Sequence, residues 1–272
     1  MNQSSDPLDG LIYAAFDVET TGLSAAYGDR ICEVGIARLQ GDELLDTYQS
    51  LVNPGRSLSP GAARVNGLSD AQLRPAPPFS AIASQVLALL DGAVLVCHNA
   101  PFDLSFLYAE LSRLGLTFQP AGVIDTLEIA RRYYRFASNS LSAVASRLEI
   151  ETPQSHRALG DALTTLQVFR RFNNRLSGLD RPQIVDWSGA YQLSAARSDE
   201  IVLPPSLQEA LSANQDLEIT YVDANGDETI RLITPRLVQA KADYVYIIAF
   251  CHLRQAERSF RLDRIVAIGK IE

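Results

Sequence analysis

Leu11-Ile-Tyr-Ala-Ala-Phe-Asp17-Val-Glu19-Thr-Thr-Gly-Leu23 is the stretch from which the rest of the chain can be read. Its first eight residues, apolar but for Asp17, form a run of strand length, and Thr20, Thr21 and Gly22 break it. A run apolar on both alternating faces belongs in the middle of a sheet covered on both sides. Asp17 and Glu19 stand two apart on that strand, so their side chains point to one face. Two neighbouring carboxylates repel each other and are costly to bury, and a divalent cation between them removes the cost. Mg²⁺ and Mn²⁺ prefer such oxygen donors. An Asp-x-Glu pair alone is common on surface strands; the apolar run before it singles this one out.

Outward from this strand, residues 31–39 and 45–52 read as two more strands, with Gly41-Asp42 at the turn between them. Residues 53–60 and 75–78 read as loops. Residues 79–90 carry apolar side chains at helical spacing, at Phe79, Ile82, Val86, Leu89 and Leu90. A short strand follows at 93–97, then an amphipathic helix at 104–114 closed by Gly115. A brief strand at Val123-Ile124 leads into helices from Thr126, over 141–148 and over 158–172. A strand meander followed by alternating strands and helices predicts an α/β domain, a mixed sheet flanked by helices on both faces.

The pattern changes after residue 173. Residues 173–198 are polar and irregular. A short helix is expected at 206–211, then strands at 217–222, 229–233, 244–251, 259–262 and 265–271, with a turn-rich Asp223-Ala-Asn-Gly-Asp227 in the first hairpin. The expected organisation is a disordered tail at 1–10, an α/β domain at 11–176, a linker or arm at 177–205 and a small β domain at 206–272.

The bulk properties narrow the class. The 272 residues, 47% of them hydrophobic, suffice for two packed domains. No stretch approaches the roughly 20 apolar residues that cross a bilayer, and the polar, acidic first ten residues lack the features of a secretory signal, so no membrane partner is expected. Cys32, Cys97 and Cys251 lie far apart in apolar surroundings, as buried reduced thiols would, which points to the cytoplasm. The net charge of −8 is unusual for a protein that grips phosphates, unless carboxylates gather cations that reverse the local sign. Of the 24 basic residues only Lys241 and Lys270 are lysine. Arginine forks onto phosphate oxygens, but a GC-rich genome produces the same bias.

Two further segments carry candidate chemistry. His98-Asn99-Ala-Pro-Phe102-Asp103 follows the fourth strand, and His156-Arg-Ala-Leu-Gly-Asp161 opens the last helix of the first domain. Singly, each has a plain explanation. Asp satisfies free N–H groups at helix N-termini, and His98 can end a strand as a polar core residue. Together, four carboxylates and a histidine fall at strand and helix ends of one α/β unit, where ligands bind in such sheets. Two-metal phosphoryl transfer needs such a set.

In order and spacing, the three segments resemble the motifs of the DEDDh, or DnaQ-like, 3′–5′ exonuclease superfamily, over roughly residues 10–175. The resemblance implies a ribonuclease-H-like fold. It implies that Asp17, Glu19, Asp103 and Asp161 hold two Mg²⁺ or Mn²⁺ ions and that His156 is the general base, a role suited to an imidazole that titrates near neutrality. His156 follows Pro153 and Ser155, which predicts a loop position. The resemblance also aligns Thr20 and Leu23 with residues that meet the terminal nucleotide, and Asn99 and Phe102 with residues that support the site or touch a base. Arg64-Val-Asn-Gly-Leu-Ser69 matches a segment that usually reads His-Gly-Ile. Asn66 replaces that histidine, and Leu68 is aligned as a wedge against a base. Core packing explains these five substrate positions equally well. Asp125 reads as structural.

Residues 217–272 resemble a WYL domain, a small Sm-like β-barrel, although the naming triad Trp-Tyr-Leu is here Val245-Tyr246-Ile247. The resemblance implies a module that senses nucleic acid or nucleotide-like ligands, with Arg231, Tyr246, Arg258 and Arg264 as ligand-binding candidates. A solvated strand face, with Glu257 and Asp263 as ion partners, is the equal alternative.

The expectation is therefore a 3′–5′ exonuclease that releases nucleoside 5′-monophosphates from single strands or from the 3′ ends of duplexes, DNA or RNA, alongside a polymerase or repair partner. The alternative is a catalytically silent nucleic-acid-binding or regulatory protein.

Overall fold

The computed structural model describes residues 10–25, 28–152, 157–176, 203–223, 227–241 and 244–269. Residues 1–9 of the expected tail, His156 and all but 203–205 of the expected linker lie outside the described residues. Two five-stranded sheets organise the described residues.

The first sheet contains β1 (Ile12–Thr20), β2 (Ile31–Gln40), β3 (Glu43–Leu51), β4 (Val94–Cys97) and β5 (Gly122–Asp125), in the order β3-β2-β1-β4-β5. The meander β1-β2-β3 is antiparallel, whereas β4 and β5 join β1 in parallel. β1 is therefore central, as its apolar run requires. Its alternation splits the core in two. Ala14, Phe16 and Val18 pack with α3 (Phe79–Leu90) and α4 (Ala100–Arg113), while Tyr13 and Ala15 pack with α5 (Thr126–Tyr133), α6 (Leu141–Arg147) and α7 (Ala158–Leu176). The mixed sheet with helices on both faces is the expected α/β class.

Three local differences from the sequence reading have physical causes. Residues following the expected loop form α1 (Pro60–Asn66) and α2 (Asp70–Leu73), short helices started by the Ser59 and Ser69 side chains. Such pieces hold too few apolar residues to show a helical period. α4 begins at Ala100, four residues before expectation, because Pro101 sits in its first turn, where its missing N–H costs nothing. The second strand of the C-terminal sheet runs on to Lys241 through Pro235, with a register shift between Pro235 and Leu237.

The second sheet holds β6 (Leu217–Val222), β7 (Glu228–Lys241), β8 (Tyr244–Cys251), β9 (Ala256–Arg261) and β10 (Ile265–Gly269), in the order β10-β6-β7-β8-β9, all antiparallel. A 3₁₀ turn, Leu262–Arg264, links β9 to β10. α8 (Pro205–Ala213) contributes Leu207 and Ala210 to this domain's core. The three cysteines are buried and unbridged. Among the described residues no helix is long and apolar enough to cross a membrane.

Candidate functional site

The carboxyl end of β1 is where charge collects. Asp17 and Glu19 point to the face covered by α7, opposite Gly35 and Glu33 of β2. Gly35 lets the start of α7 come down onto the sheet: a Cβ there would sit 2.1 Å from the Ala158 carbonyl carbon. Glu33, wholly buried, holds the same helix start in place. It accepts from Arg157 Nη2 at 2.6 Å, from the Ala158 backbone N–H at 3.2 Å and from Gln49 at 2.7 Å. This anchoring places Asp161, in the first turn of α7, over β1. Carboxylate oxygens of Asp17, Glu19 and Asp161 then lie within 4.8 Å of one another.

Asp103 enters from the other side, in the first turn of α4. It is buried, and its Oδ1 accepts from the Val18 backbone N–H at 3.1 Å. The approach of α4 is set by Asp125, which accepts from the backbone N–H groups of Asn99 and Ala100, each at 3.0 Å, and caps α5 through Leu127 at 2.9 Å. Asn99, in the left-handed conformation with φ 82°, makes the sharp turn from β4 into α4. Asp125 is thus structural, as expected.

Burial is the main force on the proton affinities, and like charge adds to it. The Asp17 carboxyl is pushed well above the usual range by burial, then by Asp103, Glu19 and Asp161. Glu19 is pushed up to about 8 by burial and by Asp161 and Glu33. Asp103 rises through burial, against the hydrogen bond from Val18. A set of oxygen donors this close, in which Asp17, Glu19 and Asp103 resist ionisation, has the chemistry of a site for hard divalent cations. His98 is different: Nε2 meets the Asn139 carbonyl at 2.8 Å and Nδ1 the Thr126 hydroxyl at 2.9 Å, and burial lowers its pKa to about 4. It is a neutral structural ring.

A cleft of about 190 Å³ opens beside Glu19. Thr20, Leu23 and Phe102 line it, as do Val65 and Asn66 of α1. Asn99 stays at its turn, and Leu68 is buried against Cys32 and Leu73 outside the cleft lining. Asn66 donates to the Thr20 carbonyl at 3.4 Å and accepts from the Leu68 N–H at 3.0 Å, which braces the loop after β1. In the C-terminal domain Arg231 donates to Thr229 at 3.0 Å, and its Nη1 is buried without a partner. Arg231 shares the core-facing alternation of Ile233, whereas Tyr246 alternates away from buried Val245 and Ile247. Arg258 is exposed on β9 and Arg264 half-buried in the 3₁₀ turn.

Sequence reasoning passed over Glu33, Arg157 and Gly35. Glu33 carried the only available signal, a charged residue inside an apolar strand run.

A family model described as Exonuclease matches residues 14–169, and one described as WYL domain matches residues 204–269. The chain is 34% identical over 165 residues to a PolC-type DNA polymerase III of Caldanaerobacter subterraneus subsp. tengcongensis, covering 60% of this chain and 12% of that protein. It is 31% identical over 173 residues to the 3′-5′ exonuclease DinG of Bacillus subtilis, covering 63% and 19%. The match therefore spans less than a fifth of either relative. The zinc-bound crystal structure of the E. coli ExoI–ssDNA complex superposes with a TM-score of 0.56 at 15% identity, over 89% of this chain and 55% of that one. At that identity the likeness is one of fold.

Proposed function

Because the chain belongs to the exonuclease family, we propose that it is a 3′–5′ exonuclease that hydrolyses terminal phosphodiesters of DNA or RNA and works with two Mg²⁺ or Mn²⁺ ions. The observation that carries this reading is the convergence of Asp17, Glu19 and Asp161 within 4.8 Å, with Asp103 buried alongside. When bound, such ions supply Lewis acidity that activates water and offsets charge building on the attacked phosphate. Asp17, Glu19, Asp103 and Asp161 would hold them. The cleft at Thr20, Leu23 and Phe102 would seat the terminal nucleoside with its phosphate toward the carboxylates, with Asn99 and Leu68 supporting its walls. His156 would take the proton from the attacking water as the new P–O bond forms and the bond to the leaving 3′ oxygen breaks, releasing a nucleoside 5′-monophosphate. Its place in the sequence, five residues before Asp161, supports that role.

For the C-terminal domain the proposal is an Sm-like closure of the sheet and the sensing of nucleic acid or a nucleotide-like ligand through Arg231, Tyr246, Arg258 and Arg264. The chain order supports closure, since edge strands β9 and β10 are consecutive. Action in the cytoplasm, beside a polymerase or repair protein, accords with unbridged thiols and with the polymerase relatives.

The test is incubation of end-labelled single strands, duplexes and RNA with Mg²⁺ or Mn²⁺, comparing the parent with Asp17→Ala. The parent should release mononucleotides. The variant should lose more than the roughly 10–100-fold that removal of a partner supporting a metal ligand costs. Equal activity in both would end the reading, and binding without turnover would favour a silent binding protein.

A further inference from the structure

The cleft beside Glu19 has a second wall that belongs to the other domain. Leu262, in the 3₁₀ turn, and Ile265, the first residue of β10, line it together with Phe102 and Leu23. Both belong to that domain's hydrophobic core and are only 2% and 6% exposed, so their positions are fixed by packing. α1 touches both the 3₁₀ turn and β10, and Leu23 packs against the C-terminal core. An ion pair between Arg64 of α1 and Glu228 of β7 ties the two domains together next to Val65 and Asn66.

Resting on the exonuclease reading, we propose that the C-terminal domain is part of the substrate site: Leu262 and Ile265 form the wall against which the strand's terminal nucleoside packs, and so set the affinity for a 3′ end. Three observations select that occupant. The cleft shares Glu19 with the carboxylate cluster, so whatever fills it lies beside the reacting phosphate. Its size, about 190 Å³, is below the roughly 300–1,000 Å³ of sites for drug-sized ligands and suits one nucleoside rather than a length of strand. Its walls pair aliphatic and aromatic faces with a few polar atoms from Thr20, Asn66 and Glu19, which matches a flat base joined to a polar sugar. The wall is a specificity device. It acts on binding of the terminal nucleoside and takes no part in bond breaking.

The experiment uses the full chain with Mn²⁺. KM and kcat are measured on a 5′-labelled single-stranded oligonucleotide, together with the inhibition constant of thymidine 5′-monophosphate. Ile265→Ala should raise both KM and the inhibition constant about ten-fold, more than it changes kcat, and should leave Mn²⁺ affinity measured by calorimetry as in the parent. Ile265→Leu should restore both constants. If Ile265→Ala does not fold, the double variant Arg64→Ala/Glu228→Ala, at two half-exposed positions, loosens the same wall and should raise KM in the same direction. Unmoved KM and inhibition in a folded variant would overturn the proposal, as would a lower KM or faster turnover, which would mark the domain as an obstruction. A parent that neither cleaves strands nor binds the mononucleotide would sink the exonuclease reading and this inference with it, whereas cleavage with unmoved KM would sink the inference alone.

Discussion

Asp17 lies among Asp103, Glu19, Asp161 and Glu33, each of which opposes its ionisation in the metal-free protein. That arrangement is a cost to the folded state, because burial and like charge both oppose ionisation. Two opposite effects follow from one substitution. Asp17→Asn should raise the melting temperature of the metal-free protein by several degrees, at about 2–4 °C per kcal/mol for a domain of this size. The same change should abolish the rise in melting temperature that millimolar Mn²⁺ gives the parent by binding the folded state. Thermal scans with and without metal check both, and a metal-free Asp17→Asn that melts below the parent would contradict the electrostatic account. His98 makes a second residue-scale prediction. Its pKa is lowered from 6.5 to about 4 by burial, so the unfolded chain binds the extra proton more readily than the folded one. The contribution of neutral His98 is full above about pH 6.5 and fades as pH falls toward 4, on the order of 1–3 kcal/mol. Melting curves across pH 4–7 should therefore show a steeper acid decline in the parent than in His98→Gln. Asp17 and Glu19 were legible from strand period two. The neutrality of His98 was not, since it depends on Thr126 and Asn139, brought in by other elements.

At the scale of elements, the site depends on how closely α7 approaches β2. Gly35 leaves the space and Glu33 supplies the anchor, gripping Arg157 and the Ala158 N–H at the mouth of the helix. Adding a single methyl group at this contact should be enough to disturb it. Gly35→Ala should push the first turn of α7 off the sheet, costing about 1–3 kcal/mol through overpacking. It should lower Mn²⁺ affinity, because Asp161 moves with that turn. Denaturant melts and calorimetric titration check this; a Gly35→Ala protein with parental Mn²⁺ affinity would show that another contact sets Asp161. Long strands and helices with clear periods were readable, and the helix Phe79–Leu90 falls where its apolar spacing puts it. The helices Pro60–Asn66 and Asp70–Leu73 were not, because one or two turns held by serine caps carry no period.

For the whole molecule, a net charge of −8 sets how a strand is met. Without cations the carboxylate cluster repels phosphates, and the many arginines are partly spent on ion pairs, as in Arg30–Glu110, Arg131–Glu209 and Arg157–Glu33. Affinity for a single strand in EDTA should be weak and only slightly salt-dependent, with log K against log salt no steeper than roughly −1.4, the slope of about two phosphate contacts. Filter binding across salt concentrations checks it, and a slope several times steeper would reveal a basic track. The two domains are joined on more than one side: besides Arg64–Glu228, Glu209 of α8 meets Arg131 and Asn139 of the first domain. The change from an alternating to an all-strand pattern divided the chain into an α/β part and a β part, since a strand or helix imposes its period on its own residues, and the family resemblance of three spaced motifs named the metal-ligand candidates. The depth of the cleft, the anchoring of α7 by Glu33 and the wall that Leu262 and Ile265 add from the other domain had no such local signature. They arise from contacts between residues more than a hundred positions apart, and only packing brings those together.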